Sequence, residues 1–266
     1  MFAAFNTLFT AKQPSTGALN YRAEVMLDSP VAYWRLGEST GITAADELGS
    51  NAATYLPNSG SAWTGGTLAQ TGPVNGATSA LFNGSSGYAS PSTLSALAFI
   101  QNTAIFTIEF WIKNDDVTLR KAILGNTVSG SERGFFVIFE NGAGAGTKAV
   151  RFAAFRGTAG QTVIDFRTAD NAITDNNWHH VAVIHSAAAG GSANIYIDGV
   201  AQTIVSGAVF SSLSSGNSTR PLFIGSANNA GAVFAPMIGR LEEVAIYSTA
   251  VSSTRLNAHI TAAPNP

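Results

Sequence analysis

FTIEFWIK, residues 106–113, is the stretch on which the fold turns. Phe106, Ile108, Phe110 and Ile112 alternate strictly with Thr107, Glu109, Trp111 and Lys113, and a period of two puts the apolar set on one face of a β-strand. That face should line a core. Trp111 falls on the opposite face, where a covering of loops would pack it rather than leave it in solvent.

A second stretch, TDNNWHHVAVIHS at residues 174–186, carries three of the four histidines beside Trp178 and invites a metal or general-base reading. Val181, Val183 and Ile184 make it a strand, and successive side chains on a strand point to opposite faces. His179 and His180 therefore look apart. His179 and His185 share a face but stand roughly 20 Å from each other at ~3.3 Å per residue, too far for one zinc ion with nitrogens at ~2.0–2.1 Å. His180 lies with Trp178, Ala182 and Ile184, and the one remaining histidine is the distant His259. The histidines read as structural, and Asp175-Asn176-Asn177 as the turn before the strand.

Around these strands the sequence repeats one theme. Strands are expected near 120–125, 134–140, 148–155, 161–166, 178–186, 221–225 and 238–247. Asn194-Ile195-Tyr196-Ile197 running into Asp198-Gly199 is the signature of a two-residue hairpin turn. YRAEVML, residues 21–27, is expected as a short helix stopped by Asp28-Ser29-Pro30. A capped helix should close the chain after Ser252. Many short strands with turn signals between them predict an all-β, antiparallel two-sheet sandwich of jelly-roll type.

The composition narrows the function classes. The chain has 266 residues, enough for one large sandwich, and only 11% of them are charged, against about 25% in an average domain. A net charge of −2 and the lack of any Lys/Arg run give no footprint for nucleic acid. Such low charge also argues against tight binding of anionic polymers. There is no cysteine, which excludes disulfides and thiolate metal sites. MFAAFNTLFTAKQ, with its first cation at Lys12, makes a poor secretion signal, and no apolar run reaches the 18 residues of a membrane span. Residues 1–20, with Phe2, Phe5, Leu8 and Phe9 ahead of a KQPSTG break, read as an attachment arm and linker, whose aromatics equally suit docking onto another subunit or folding back on the domain; residues 21–262 form the sandwich and 263–266 a tail.

Seven strings in order along the chain resemble the laminin G-like domains of the concanavalin A-like lectin and glucanase superfamily: SPVAYWRLGE (29–38), ALFNGSSGYAS (80–90), FTIEFWIK (106–113), NWHHVAV (177–183), YIDGV (196–200), LFIGSAN (222–228) and GRLEEVAIYSTAVS (239–252). The resemblance implies the same sandwich, with the histidine string as a core strand. It also implies candidate chemistries. Retaining glucanases need two carboxylates about 5–5.5 Å apart, yet no E-x-D-x-x-E string occurs, and Glu242 and Glu243, being adjacent, should point to opposite faces; no enzyme activity is expected. Relatives often carry a structural Ca²⁺ bound by an acid of the terminal strand, which corresponds to Glu242, with Glu38 and Asp46 as its available partners; calcium takes six to eight oxygens. For sugar stacking, Trp63 and Tyr55 stand out because they lie in a polar loop tract, whereas Trp34 and Trp178 lie within strands.

Two functions follow as expectations. One is a non-enzymatic virion structural protein, a phage capsid decoration, head-fibre or tail-associated component, held by its arm to other virion proteins as a homo-oligomer or on a lattice and displaying the sandwich at the virion surface, with cell-surface glycans as partners. The alternative is an extracellular carbohydrate-binding module, secreted or attached to an enzyme. Neither inserts in a membrane.

Overall fold

The computed structural model describes residues 20–91, 97–128, 132–142, 146–156, 162–186, 192–205 and 218–263. Residues 1–19 of the attachment arm and the last three residues of the tail lie outside these. FTIEFWIK sits in the strand Phe106–Asn114 at the middle of an eight-stranded sheet. On one side it pairs with Trp178–His185, which continues to Ala193–Ile197 and Val200–Ala201. On the other it pairs with Ile238–Tyr247, which continues to Thr78–Asn83 and Gly66–Thr71. Ala32–Trp34 also pairs with Ile238–Tyr247. A ten-stranded sheet faces it, running Thr162–Arg167, Gly146–Arg156, Arg133–Gly142, Lys121–Gly125, Phe223–Ile224, Tyr88–Pro91, Ala53–Leu56 and Thr43–Ala44, with Ala227–Asn229 and Ala232–Phe234 attached beside Lys121–Gly125. Pairing is antiparallel except for the contact of Gly125 with Ala227.

Phe106, Ile108, Phe110 and Ile112 lie in the core between the sheets, together with Val181 and Val183 of the histidine strand and Phe135, Val137, Phe152 and Phe166 of the facing sheet. The period-two reading is met. What alternation does not supply is the burial of the other face: Thr107, Glu109 and Trp111 are covered as well. Two short helices do this. Helix α1, Tyr21–Leu27, is capped by the Asn20 side chain accepting from Ala23 N at 2.9 Å. Helix α2, Phe99–Asn102, lies elsewhere, against the ten-stranded sheet. Helix α3, Ser253–Thr261, is capped by Ser252 Oγ accepting from Arg255 N. Tyr21 and Val25 of α1 and Leu256 of α3 pack with Trp111, Ala182, Ala245 and Tyr247 on the outer face of the eight-stranded sheet. Arg255 fastens the helices together, donating to Asp28 and Glu24. The hairpin turn at Asp198-Gly199 forms as expected, with φ of 50° and 77° at its two residues, the left-handed geometry that Asp and Gly tolerate.

One expectation fails at the terminal strand. Its register against Phe106–Asn114 shifts between Glu242 and Ala245, and Glu243 has φ +57°. Leu241 and Val244 both face the core, so the two residues between them share the outer side. Glu242 and Glu243 therefore do not point to opposite faces, because a β-bulge inserts one extra residue and breaks the alternation.

Candidate ligand pocket and its buried carboxylates

The bulge places both glutamates beside the end of the Ala32–Trp34 strand, where the chain turns into a glycine-rich segment. Arg35, Gly37, Glu38 and Glu47 from that segment, with Gly76, Ala77 and Thr78 from the turn before the Thr78–Asn83 strand, enclose a pocket of about 250 Å³. Arg35 is held in place by Glu243: its Nε donates to Oε1 at 2.9 Å and its Nη2 to the same oxygen at 2.8 Å, while the Tyr33 hydroxyl donates to Oε2. Glu38 is fixed from both sides, since Oε1 accepts from Ala45 N at 2.8 Å and Oε2 from the Tyr55 hydroxyl at 2.7 Å. Thr78 Oγ1 donates to Gly37 O at 2.8 Å, and Glu47 pairs with Arg22 of α1. A lining of pre-oriented guanidinium, carboxylate and hydroxyl groups can exchange hydrogen bonds with a small polyol. At this volume it falls below the ~300–1,000 Å³ of pockets for drug-sized ligands.

Glu242, on the same bulge as Glu243, differs from its neighbours. It is fully buried and neither carboxylate oxygen has a hydrogen-bond partner. Burial, with the Glu243 charge beside it, pushes its pKa up to about 9. Gly72 makes the space: a Cβ there would stand 1.7 Å from Glu242 Oε2.

The set expected for calcium does not assemble. Both Glu38 oxygens are taken as above, and Asp46 is turned into its own loop, accepting from the backbone N–H groups of Tyr33, Ser50 and Asn51 at 2.9, 3.1 and 2.9 Å. Among the described residues no group of three His, Asp or Glu could hold a metal ion. Of the three expected ligands, Glu242 is the one with both carboxylate oxygens unpartnered.

Trp63 and Tyr55 are not loop-borne stacking platforms. Tyr55 is fully buried and Trp63 is 8% exposed. Their rings lie 4.7 Å apart, Phe82 meets Trp63 edge-on at 5.2 Å, and Trp63 Nε1 donates to Leu56 O at 3.0 Å. The tract around them is polar, but Gly65 and Gly66 lack the side chains that would collide with the indole: a Cβ at Gly66 would sit 2.4 Å from Trp63 Cη2. A tryptophan followed closely by paired glycines was the signal for its burial. Trp34 and Trp111 are buried and Trp178 is half-buried.

The histidines divide as the strand geometry requires, with one addition. His179, at the surface, bridges Asp198 at 2.7 Å and Asp175 at 2.9 Å, and Asp198 above all raises its pKa. His185 is buried on the core side beside Phe106, and burial lowers its pKa. His180 and His259, far apart in sequence, meet on Glu109 Oε2 at 3.2 and 3.1 Å, and the Tyr247 hydroxyl donates to Oε1. His259 Nε2 also reaches Asp28 Oδ2 at 2.8 Å. Sequence reasoning missed this convergence. Its one trace was Glu109, an acid between Thr107 and Trp111 on the outer face of the central strand. The cluster is sealed beneath α1 and α3, so it fastens the helices to the sheet.

Two facing antiparallel sheets with short terminal helices define a lectin-type β-sandwich. A family model described as the concanavalin A-like lectin/glucanases superfamily, of laminin G type, matches residues 82–257, and the chain belongs to that superfamily. No curated protein sequence matches it. Among solved structures it is similar to domain 4 of AbnA, a GH43 extracellular arabinanase from Geobacillus stearothermophilus, in complex with arabinotriose (TM-score 0.56, 15% identity, 87% of this chain and 98% of that one). It is also similar to the CBM40 of the Ruminococcus gnavus IT-sialidase (TM-score 0.50, 17% identity, 68% and 95%). A third likeness is to the binding domain of botulinum neurotoxin DC in complex with rat synaptotagmin II (TM-score 0.58, 13% identity, 89% of this chain), of which the chain spans about half, 52%. At these identities the likeness establishes the fold.

Proposed function

We propose that the protein is a non-enzymatic recognition domain that takes one sugar unit of a surface glycan into the pocket lined by Arg35, Glu38 and Thr78. The observation that carries this is the pocket itself, small, polar and pre-oriented by Glu243, Tyr55 and the Gly37 carbonyl. The carboxylates in and beside it do not form an acid and nucleophile flanking a cleft: Glu38 is held by Ala45 N and the Tyr55 hydroxyl, Glu47 pairs with Arg22, Glu243 pairs with Arg35, and Glu242 is buried against Gly72. The solved relatives named above include domains that bind arabinotriose and a protein receptor, which supports recognition rather than turnover.

The setting we propose is a virion surface, with the arm carrying Phe2, Phe5, Leu8 and Phe9 as the attachment to other virion proteins. That part rests on sequence, since a short apolar arm precedes a Pro/Gly joint. The alternative, a module secreted or attached to an enzyme, draws on the near end-to-end likeness to the arabinanase domain. A structural calcium ion belongs to the proposal only through Glu242, whose two oxygens lack hydrogen-bond partners, since Glu38 and Asp46 are committed to other donors.

Single-site binding should be weak and gain by display, because linked copies raise apparent affinity by about 10²–10⁴. The test is glycan-array binding of a multimerised protein, with Ala77→Phe to fill the pocket and deletion of residues 1–19 to remove the arm. The substitution should abolish array binding while preserving the melting temperature, and the deletion should abolish particle occupancy. Unchanged binding by Ala77→Phe removes the pocket, and normal particle occupancy without the arm removes the virion setting.

A further inference from the structure

A row of side chains crosses the outer face of the eight-stranded sheet and includes none of the pocket's lining residues. Thr67 pairs directly with Leu81, Leu81 with Arg240, Arg240 with Lys113, and Lys113 with Trp178. Directly paired residues share a face, and all five are at least partly exposed. Lys113 and Arg240 are thus two cations side by side, with backbones about 4.5–5.5 Å apart. Like charges directly opposite on a sheet repel and destabilise it. Elsewhere the chain neutralises such groups: Arg35, Arg120, Arg151 and Arg255 each hold a carboxylate. The side chains of Lys113 and Arg240 make no hydrogen bond or ion pair to any described residue, and Arg240 Nε is a buried donor without an acceptor.

We propose that Lys113 and Arg240 form a binding site for the carboxylate of an acidic sugar, with Trp178 and Leu81 as its apolar flanks. An anion between the two cations removes their repulsion and gives Arg240 Nε an acceptor in one step. The planar guanidinium fork matches a carboxylate with two parallel hydrogen bonds, and the ammonium adds a point charge. The half-buried indole on one side and the leucine on the other present apolar surface to the C–H face of a pyranose ring, which a bare anion could not use. Low net charge, which on its own argues against anionic ligands, hides this local excess: Glu242, two residues along the strand from Arg240, is fully buried with its pKa pushed up to about 9 and so does not neutralise the pair.

The site shares no lining residue with the Arg35 pocket, and the experiment separates the two. A glucuronate-containing tetrasaccharide, its carboxyl-reduced neutral counterpart, and sodium acetate are titrated into the full chain by calorimetry and by amide chemical-shift mapping at low and at physiological salt. The acidic tetrasaccharide should bind, weaken with added salt, and shift amides of the 106–114 and 238–247 strands. The neutral counterpart should not. Lys113→Gln and Arg240→Gln should each weaken binding at least tenfold, Trp178→Ala should weaken the tetrasaccharide but not acetate, and Ala77→Phe should leave this binding intact. Without ligand, Lys113→Gln should melt no lower than the wild type, because it removes a repulsion. Equal binding of the acidic and neutral sugars, undiminished binding by the Lys113→Gln/Arg240→Gln double variant, or no binding by the wild type at low salt would each overturn the proposal.

Discussion

Glu109→Gln tests the buried cluster that fastens α1 and α3 to the sheet. Glu109 is fully buried and accepts from Tyr247 while holding His180 and His259. The groups facing His259 are Glu109 on the sheet, Asp28 and the Tyr21 ring at α1, and Arg255 on α3, which itself holds Asp28. Burial works to raise the Glu109 pKa, but the imidazoles more than offset it and hold the carboxyl well below its ordinary range. Burial likewise works to lower the His259 pKa, and Glu109 and Asp28 more than offset that, so it is raised. Deleting one charge of a buried pair typically costs ~3–5 kcal/mol, and at ~2–4 °C per kcal/mol for a chain of this size the melting temperature should fall by about 6–20 °C. The sign with pH follows from the two shifts. The His259 contribution is fully present below the ordinary histidine value of 6.5 and is lost as pH rises through the raised folded value. The Glu109 contribution is present above 4.5 and is lost as pH falls toward the depressed one. The cluster should therefore stabilise most between about pH 4.5 and 6.5. Urea unfolding from pH 4 to 9 should show this window in the wild type and flatten it in Glu109→Gln. A variant within about 1 kcal/mol of the wild type, with the same pH slope, would refute the ionised cluster.

Trp63→Ala should unfold rather than selectively lose ligand, since the indole packs on Tyr55 and Phe82; a loss of about 3–5 kcal/mol is expected by urea titration, and a near-neutral stability change would put the ring back in solvent. Glu242 makes the calcium prediction specific: millimolar calcium should raise the melting temperature of the wild type by trapping the ionised carboxylate and leave Glu242→Ala unmoved, and a calcium response that survives Glu242→Ala would assign the ion to other residues.

The sequence by itself determined the sandwich, because strand patterning is local. Alternation at Phe106, Ile108, Phe110 and Ile112, the Asp198-Gly199 turn and the Ser252 cap are each written within a few residues, and each formed where it was read. It also separated His179 from His185, since distance along a strand is fixed by its rise. Tertiary structure decided the rest for one physical reason: burial and pairing depend on residues far away in the chain. Trp63 looked loop-borne until Phe82 and the paired glycines closed around it. Glu242 and Glu243 looked opposed until a bulge, invisible in the alternation, turned both outward. Glu109 could not be matched to His180 and His259 before the last helix docked. The pairing of Lys113 with Arg240 required the register of two strands separated by more than a hundred residues, which no local pattern encodes.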